Sequence, residues 1–401
     1  MAMNQTPAGD RIHIGFFGKR NAGKSSLINA VTGQSLSVVS ETKGTTTDLV
    51  MKTMELLPLG PVMMIDTPGL DDEGELGNLR KQKARQALNR CDGAVLVVDA
   101  AEGLGAFEKE LINVFKAKEI SYIIAYNKND IAKKTQKQSE DEIFVSAETG
   151  EGIFELKELL GKKLLGAKEQ RRIAGDLVKS GDHVLLVTPI DEAAPKGRMI
   201  LPQQQTLRDL LDSGAVVSFT KETELKVALQ GFKEMPKLVI TDSQVFRDVA
   251  DIVPEDVALT SFSILMARYK GYLKDALLGV SAIENLEDGD TILVAEGCTH
   301  HRQCNDIGTV KIPNWLKKYT KKEFKIETVS GADFPEDLSP YRVIIHCGGC
   351  MLGDREIKYR MKCAKDQGVP VVNYGVLIAK MNGILEKAIA PLPEGKEEQN
   401  G

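Results

Sequence analysis

Between residues 11 and 160 short apolar runs alternate with segments of helical spacing. IHIGFFG, VMMID, GAVLVVDA, SYIIAYNKND and EIFVSA are continuous runs that predict buried strands. KSSLINAVTG and LRKQKARQALNRC space their apolar residues three and four apart and predict helices. This alternation predicts a mainly parallel sheet covered on both faces. The polar stretch LLGAKEQRRIAGDLVKSGD then breaks the rhythm. It resumes with strands HVLLVTP, AVVSFT and PKLVITD, separated by the helical QQTLRDLLDSG and ETELKVALQGF. A third set, TILVAEGC, EFKIETV, YRVIIHC and VPVVNYG, follows the helical segment LTSFSILMARYKGYLKDALLGVSAIENL. The expected architecture is three α/β domains, residues 1–172, 173–264 and 265–401, with a disordered tail LPEGKEEQNG.

The composition changes this picture little. The 401 residues are 42% hydrophobic and 27% charged, as in ordinary globular proteins, and suit about two to four domains. The net charge of −5 argues against a broad nucleic-acid footprint, which needs a Lys/Arg excess. No apolar run reaches the roughly 18–20 residues of a membrane span, and the N-terminal residues lack the pattern of a secretory signal. The expected location is the cytoplasm, where thiols stay reduced. The six cysteines then read as metal ligands or buried residues, not disulfides.

The motifs change the picture more. GKRNAGKSS, residues 18–26, fits G-x-x-x-x-G-K-[ST] between a predicted strand and a predicted helix. Gly18, Ala22, Gly23 and Ser26 belong to a loop whose N–H groups would surround a phosphate. Lys24 supplies charge at the β/γ-phosphates, and Ser25 can ligate Mg²⁺. In DTPG, Asp66 is placed to hold Mg²⁺ through water and the Gly69 N–H to sense the γ-phosphate. In NKND, with Asn127 and Lys128, the Asp130 carboxylate can accept the paired N–H groups of guanine that adenine lacks. SAE, with Ser146 and Ala147, would close over the base. Each element follows a predicted strand, at the edge where parallel sheets bind ligands.

Residues 11–165 resemble the translation-factor-class GTPases that act in ribosome assembly and tRNA modification. KGTTTD, residues 43–48, matches that group's first switch, with Thr46 the better placed for Mg²⁺ and Thr45 and Thr47 as alternatives. After Gly69 stands Leu70, which cannot orient water as the glutamine of Ras does, so hydrolysis is expected to be slow without help. Asn21 resembles the asparagine that coordinates K⁺ in potassium-activated members, where the cation balances transition-state charge. Glu75, in DDEGEL, is either the group that places the water or a solvated loop acid.

A second constellation lies near the end. Cys298, Cys304, Cys347 and Cys350 fall in one window with His300, His301 and His346. If TILVA and YRVII are neighbouring parallel strands, Cys298 and the Cys347/Cys350 pair converge at their carboxyl ends. Spacing alone leaves two metals open. Cys298, His300, Cys347 and Cys350 would suffice for Zn²⁺, and three cysteines with one further ligand would suit a [4Fe–4S] cluster. Cys91 and Cys363 read as core residues, and His13 and His183 need no role.

The combination of a P-loop GTPase with CTHH at 298–301 and HCGGC at 346–350 resembles the HydF family, the maturation GTPases of [FeFe]-hydrogenase. That family carries C-x-H, a gap of forty-odd to fifty residues, then H-C-x-x-C; here 45 residues separate His300 from His346. The resemblance implies a P-loop GTPase domain, a dimerising middle domain and a C-terminal domain holding a [4Fe–4S] cluster on Cys298, Cys347 and Cys350. It implies a labile fourth ligand, for which His346 comes first, then His300, with Cys304 also available. It further implies a homodimer that receives a diiron precursor from radical-SAM maturases and passes it to apo-hydrogenase. The competing reading is a tRNA- or ribosome-directed GTPase with a structural C-terminal zinc.

Overall fold

The computed structural model describes residues 6–33, 50–67, 87–134, 139–165, 171–189, 199–297, 306–331 and 333–394. The chain divides into two compact units, residues 1–169 with 353–356, and residues 170–352 with 357–401.

The first unit is built on a six-stranded sheet. Its strands are β1 Ile12–Phe17, β2 Val50–Leu56, β3 Gly60–Asp66, β4 Gly93–Asp99, β5 Ser121–Asn127 and β6 Glu142–Phe144, in the order β2-β3-β1-β4-β5-β6. All neighbours are parallel except β2 and β3, an antiparallel hairpin. The five predicted strands are present. β2 was not predicted, because it is an edge strand whose residues are mostly solvated and form no apolar run. Helices Lys24–Thr32 and Ile153–Leu164 and helix Ala106–Ala117 belong to separate apolar cores, one on each face.

The second unit carries two four-stranded sheets. The middle strands are β7 His183–Val187, β8 Val216–Thr220, β9 Leu238–Thr241 and β10 Ala258–Ser261. The last four are β11 Thr291–Glu296, β12 Lys325–Ser330, β13 Val343–His346 and β14 Val371–Asn373. Every pairing in both sheets is parallel, in the orders β10-β9-β7-β8 and β12-β11-β13-β14. Numbered within each sheet, both read 2-1-3-4. The parallel part of the first sheet, β3-β1-β4-β5, reads the same way. In such an order the direction in which strands are added across the sheet reverses between strands 1 and 3, and the crevice there takes ligands.

Residues 259–261, expected as helix, belong to β10, and the helix begins at Phe262 with Ser261 as its cap. Leu259, Thr260 and Ser261 are too few to show a strand period. The expected division at 264/265 falls inside helix Phe262–Tyr269, and one continuous core runs from Ile173 to Leu392. β8 is the edge of the middle sheet and exposes Val216 and Phe219.

Entry into the second unit depends on one carboxylate. Asp209, in helix Leu201–Asp212, accepts the N–H groups of Ile173, Ala174 and Gly175 at 3.0, 2.9 and 2.7 Å. Asp209→Ala would orphan all three. It is expected to destabilise this unit by about 3 kcal/mol, read as a lowered urea midpoint of its unfolding transition.

Candidate functional site

The first candidate site lies at the carboxyl edge of the six-stranded sheet. β1 ends at Phe17 and the phosphate loop follows. Gly18 and Gly23 have φ of 147° and 86°, and Asn21 is also left-handed at 62°. A Cβ on Gly18 would sit 2.3 Å from the Val97 carbonyl oxygen, and one on Gly23 would sit 2.3 Å from Asn127 Nδ2. Both approaches require glycine. Lys24 is buried, and its Nζ donates to the loop carbonyls of Gly18 and Lys19 at 3.0 and 2.7 Å. Ala22 is buried, and Ser25, Ser26 and Asn21 are exposed.

Asn127 couples the base-recognition motifs to this loop. Its Nδ2 donates to the Ala22 carbonyl, and its Oδ1 accepts from the Ala147 N–H, both at 3.0 Å. Ser146 is fully buried and closes its own turn, Oγ accepting from Thr149 N–H at 3.1 Å. Lys128 pairs with Asp99 at 2.8 Å, and that bond holds the Asp99 carboxyl below its usual range. Asp99 was not singled out from sequence; its position ending an apolar run, like Asp66, was the available signal. Asp130 is half-buried in the same loop.

Asp66 ends β3 opposite Phe16. The Ser25 hydroxyl donates to its Oδ2 at 2.5 Å, while its Oδ1 is buried with no hydrogen-bond partner. An orphaned carboxylate oxygen beside a serine hydroxyl fits hydrated Mg²⁺. Burial raises the Asp66 pKa, against the lowering effects of Ser25 and Lys24. Thr46 with Thr45 and Thr47, Gly69, Leu70 and Glu75 lie outside the described residues.

The second candidate site lies at the switch point between β11 and β13. Ala295 pairs with His346, and the Cys347 N–H donates to the Ala295 carbonyl at 3.0 Å. Two N–H groups point at the Cys347 sulfur, Gly297 at 3.0 Å and Gly349 at 3.4 Å. The turn from Cys347 to Cys350 is tight. Gly349 has φ of 68°, and a Cβ there would sit 2.7 Å from Ile357 Cδ1; one on Gly348 would sit 3.0 Å from Met266 Cβ. A sulfur that accepts two N–H groups is suited to the thiolate form and hence to a metal. Burial pushes the Cys347 thiol up, against those two N–H groups, and pushes Cys350 up to about 12.

His346 is fully buried and already engaged. Its Nδ1 donates to the Cys347 carbonyl at 2.6 Å, and its Nε2 accepts from Arg360 Nη1 at 3.2 Å. Burial, then the Arg360 charge, pushes it down to about 3, so it is neutral. In this arrangement neither ring nitrogen faces a metal unoccupied. Cys298, His300, His301 and Cys304 lie outside the described residues, which reach Gly297. Among the described residues no group of three potential ligands is assembled. The residues that surround the thiols, Lys270, Tyr272, Arg360 and Asn373, were not found from sequence. Lys270 and Tyr272 sit inside an apolar helical segment and Arg360 inside a charged one, with no spacing that marks them. Cys91 is fully buried, as expected, and Cys363 partly so.

Comparison with known proteins follows the same division. Residues 13–128 match the model of the 50S ribosome-binding GTPase. Residues 173–271 match the hydrogen maturase F dimerization domain, and residues 274–391 its tetramerization domain. The two maturase models, in tandem, account for more than half of the chain. The chain belongs to the hydrogen maturase F family. It is also 36% identical over 151 residues to the tRNA modification GTPase MnmE of Thiobacillus denitrificans, covering 37% of this chain and 32% of that protein. GTPase Der of Kosmotoga olearia is 30% identical over 216 residues, covering 49% of this chain and 48% of Der. The chain thus matches about a third to a half of the length of these curated relatives. Era of Aquifex aeolicus bound to GDP and AlF4⁻ aligns with 52% of this chain and 92% of its own, at 19% identity and a TM-score of 0.34. The G domain of Thermotoga maritima FeoB aligns with 38% of this chain and 98% of its own, at 25% identity and a TM-score of 0.31. The first unit of this family member is a P-loop GTPase domain. Among the described residues no helix is long and apolar enough to cross a membrane.

The strain of burying Asp66 gives a test with two signs. Its raised pKa means that folding favours the neutral carboxyl, so the ionised form costs stability once the pH passes above that pKa. Asp66→Asn is expected to raise the apo melting temperature at neutral pH, with the gain vanishing in acid, where the carboxyl is neutral anyway. The same variant should lose Mg²⁺-dependent GTP hydrolysis.

Proposed function

We propose that this chain is a GTP-hydrolysing scaffold of [FeFe]-hydrogenase maturation. Its C-terminal thiols would hold a [4Fe–4S] cluster, and the loaded protein would carry the diiron precursor from radical-SAM maturases to apo-hydrogenase. The observation that carries this reading is the 3.0 Å contact from Gly297 N–H to the Cys347 sulfur. It brings the chain to within one residue of Cys298 while already against the Cys347–Cys350 turn. Cys298, Cys347 and Cys350 are the proposed ligands. Both His346 nitrogens are hydrogen-bonded, which supports His300, Cys304 or an outside group ahead of His346 as the fourth ligand. When bound, the cluster supplies an iron that the protein does not fully ligate, where a second metal group could attach.

In the GTPase domain, Lys24 would leave the loop carbonyls for the β/γ-phosphates, and Ser25 would turn its hydroxyl from Asp66 to Mg²⁺. Asp66 and Thr46 would complete the ion's surroundings, and Gly69 would bind the γ-phosphate. Asp130 would select guanine while Ser146 and Ala147 cover it. Asn21 would hold K⁺, and Glu75 is the proposed water-positioning group. The dimer is supported by the solvated edge strand β8 with its exposed Val216 and Phe219. The competing reading, a tRNA- or ribosome-directed GTPase with structural zinc, draws only on relatives of the GTPase domain.

Anaerobic reconstitution with iron and sulfide should load about four irons per chain, with broad absorption near ~400 nm. Cys347→Ser should lose most of that iron while GTP hydrolysis stays at the wild-type rate. Protein co-expressed with the maturases should activate apo-hydrogenase to evolve hydrogen, and the Cys347→Ser protein should not. A colourless wild-type protein loaded with zinc would overturn the scaffold reading.

A further inference from the structure

Two cations are buried against the thiol turn. Lys270 is 2% exposed and caps helix Phe262–Tyr269. Its Nζ donates to the Leu352 carbonyl at 2.8 Å, and Leu352 N–H in turn donates to Gly349 inside the turn. Arg360 is fully buried in helix Asp354–Asp366. It donates to His346 Nε2 and to the Gly331 carbonyl, and its guanidinium lies 5.0 Å from the Phe334 ring centroid. One cation is thus bonded to the residue just before Cys347 and the other to the second residue after Cys350. Tyr272 fixes the turn from a third side, its hydroxyl donating to the Cys347 carbonyl at 2.6 Å and accepting from Asn373 Nδ2 at 3.0 Å. Glu296, at the end of β11, is a carboxylate that opposes the cations, and it accepts from the Tyr374 hydroxyl at 3.2 Å.

Burying a lysine and an arginine costs several kcal/mol each unless something compensates. A turn intended only to pack needs neither. A neutral donor of similar length at position 270 would fill the same space and serve the Leu352 carbonyl without burying a charge. What the cations do offer is attraction to negative charge on the sulfurs and on whatever they hold. That attraction is weakly screened at a buried site.

We propose that Lys270 and Arg360 are positioning residues that set the charge balance of the centre held by Cys347 and Cys350, favouring its one-electron reduced state. The inference rests on the cluster reading above. Reduction adds one negative charge to the centre, and fixed positive charge beside it lowers the free energy of that state. Cluster potentials respond to local charge and to hydrogen bonds at the sulfurs. Lys270 is the cleaner probe, because its bond to the turn runs to a backbone carbonyl that an amide can also satisfy.

The test uses full-length protein reconstituted anaerobically with iron and sulfide and titrated with dithionite. The reduced fraction is followed by electron paramagnetic resonance, with bound iron measured in parallel. Lys270→Gln keeps a donor for Leu352 and removes the charge. At a fixed ambient potential it is expected to lower the ratio of reduced to oxidised centre about tenfold, equivalent to 59 mV for a one-electron couple. Lys270→Arg should restore most of the wild-type ratio. Lys270→Met, which removes both charge and donor, should shift the ratio at least as far as Lys270→Gln. Equal ratios in wild type, Lys270→Gln and Lys270→Met, all with full iron, would overturn the inference and leave the cluster reading standing. A wild-type protein that takes up no iron would overturn the cluster reading, and the inference with it.

Discussion

The pairing of β11 with β13 is the constraint on which the thiol site depends. Gly297 and Cys347 are 50 positions apart in the chain, and no local preference could bring them together. The parallel register does it. Ala295 stands opposite His346, and the ladder continues one bond past the strand end, from Cys347 N–H to the Ala295 carbonyl. One residue further, Gly297 N–H reaches the Cys347 sulfur rather than another carbonyl. A slip of one residue would turn His346 out of its pocket with Arg360 and Tyr272 and would point the thiol away from Gly297. The core residues Ile344, Val343 and Ile345 on β13 and Ile292, Leu293 and Val294 on β11, all buried, make that slip costly.

The same device appears elsewhere in the chain. All three sheets contain the order 2-1-3-4, and in the first and third the candidate site sits where that order reverses. In the first sheet the phosphate loop leaves β1 and packs so closely over β4 that Gly18 has no room for a side chain. In the third, the segment leaving β11 packs over the turn leaving β13, and a Cβ on Gly297 would meet Leu352 Cδ1 at 3.2 Å. Gly18 serves close approach to the β4 backbone, and Gly297 close approach to the Leu352 side chain. The middle sheet shows the same ladder extension, Asp242 N–H to the Val187 carbonyl at 3.3 Å, but there Asp242 caps the turn that follows, accepting from Gln244 N–H. A shared topology therefore does not confer a shared site; the residues after the strand ends do.

What could be read from the chain follows from this. Buried parallel strands are short apolar runs, and twelve strands stood out, the half-exposed edges β8 and β12 among them. β2 did not, because an edge strand with one face solvated and the other only partly covered has no such run, and β10 did not, because its few residues merge into the helix behind them. The phosphate loop, Asp66, Asn127 and Ser146 were legible because their chemistry demands fixed residue types at fixed offsets from a strand. Cys347 and Cys350 stood out by the same kind of fixed offset from a strand end. Lys270 and Arg360 were not, since a cation's role at a buried site depends on which element folds over it. His346 shows the limit most directly. Its place beside the cysteines suggests a ligand, yet the strand's alternation turns it toward Arg360, where both nitrogens are used.

The two stretches expected to respond to the γ-phosphate, residues 38–50 and 66–80, border the β2–β3 hairpin at its open end. The burial along that hairpin is uneven. At the turn end Leu56 and Leu59 are sealed into the core, whereas Val50 and Met51 are exposed at the other. β2 has one neighbour, β3, and β3 is locked to β1 along its length. Strain applied at the nucleotide end therefore meets little apolar packing on β2 and much on β3. Thr67 reinforces the contrast, its hydroxyl donating to the Phe16 carbonyl at 2.6 Å and pinning the chain just after Asp66. The β1–β3 register and the Thr67 bond thus hold Asp66 in place beside the start of the phosphate loop, while the start of β2 is a solvated edge of the same sheet.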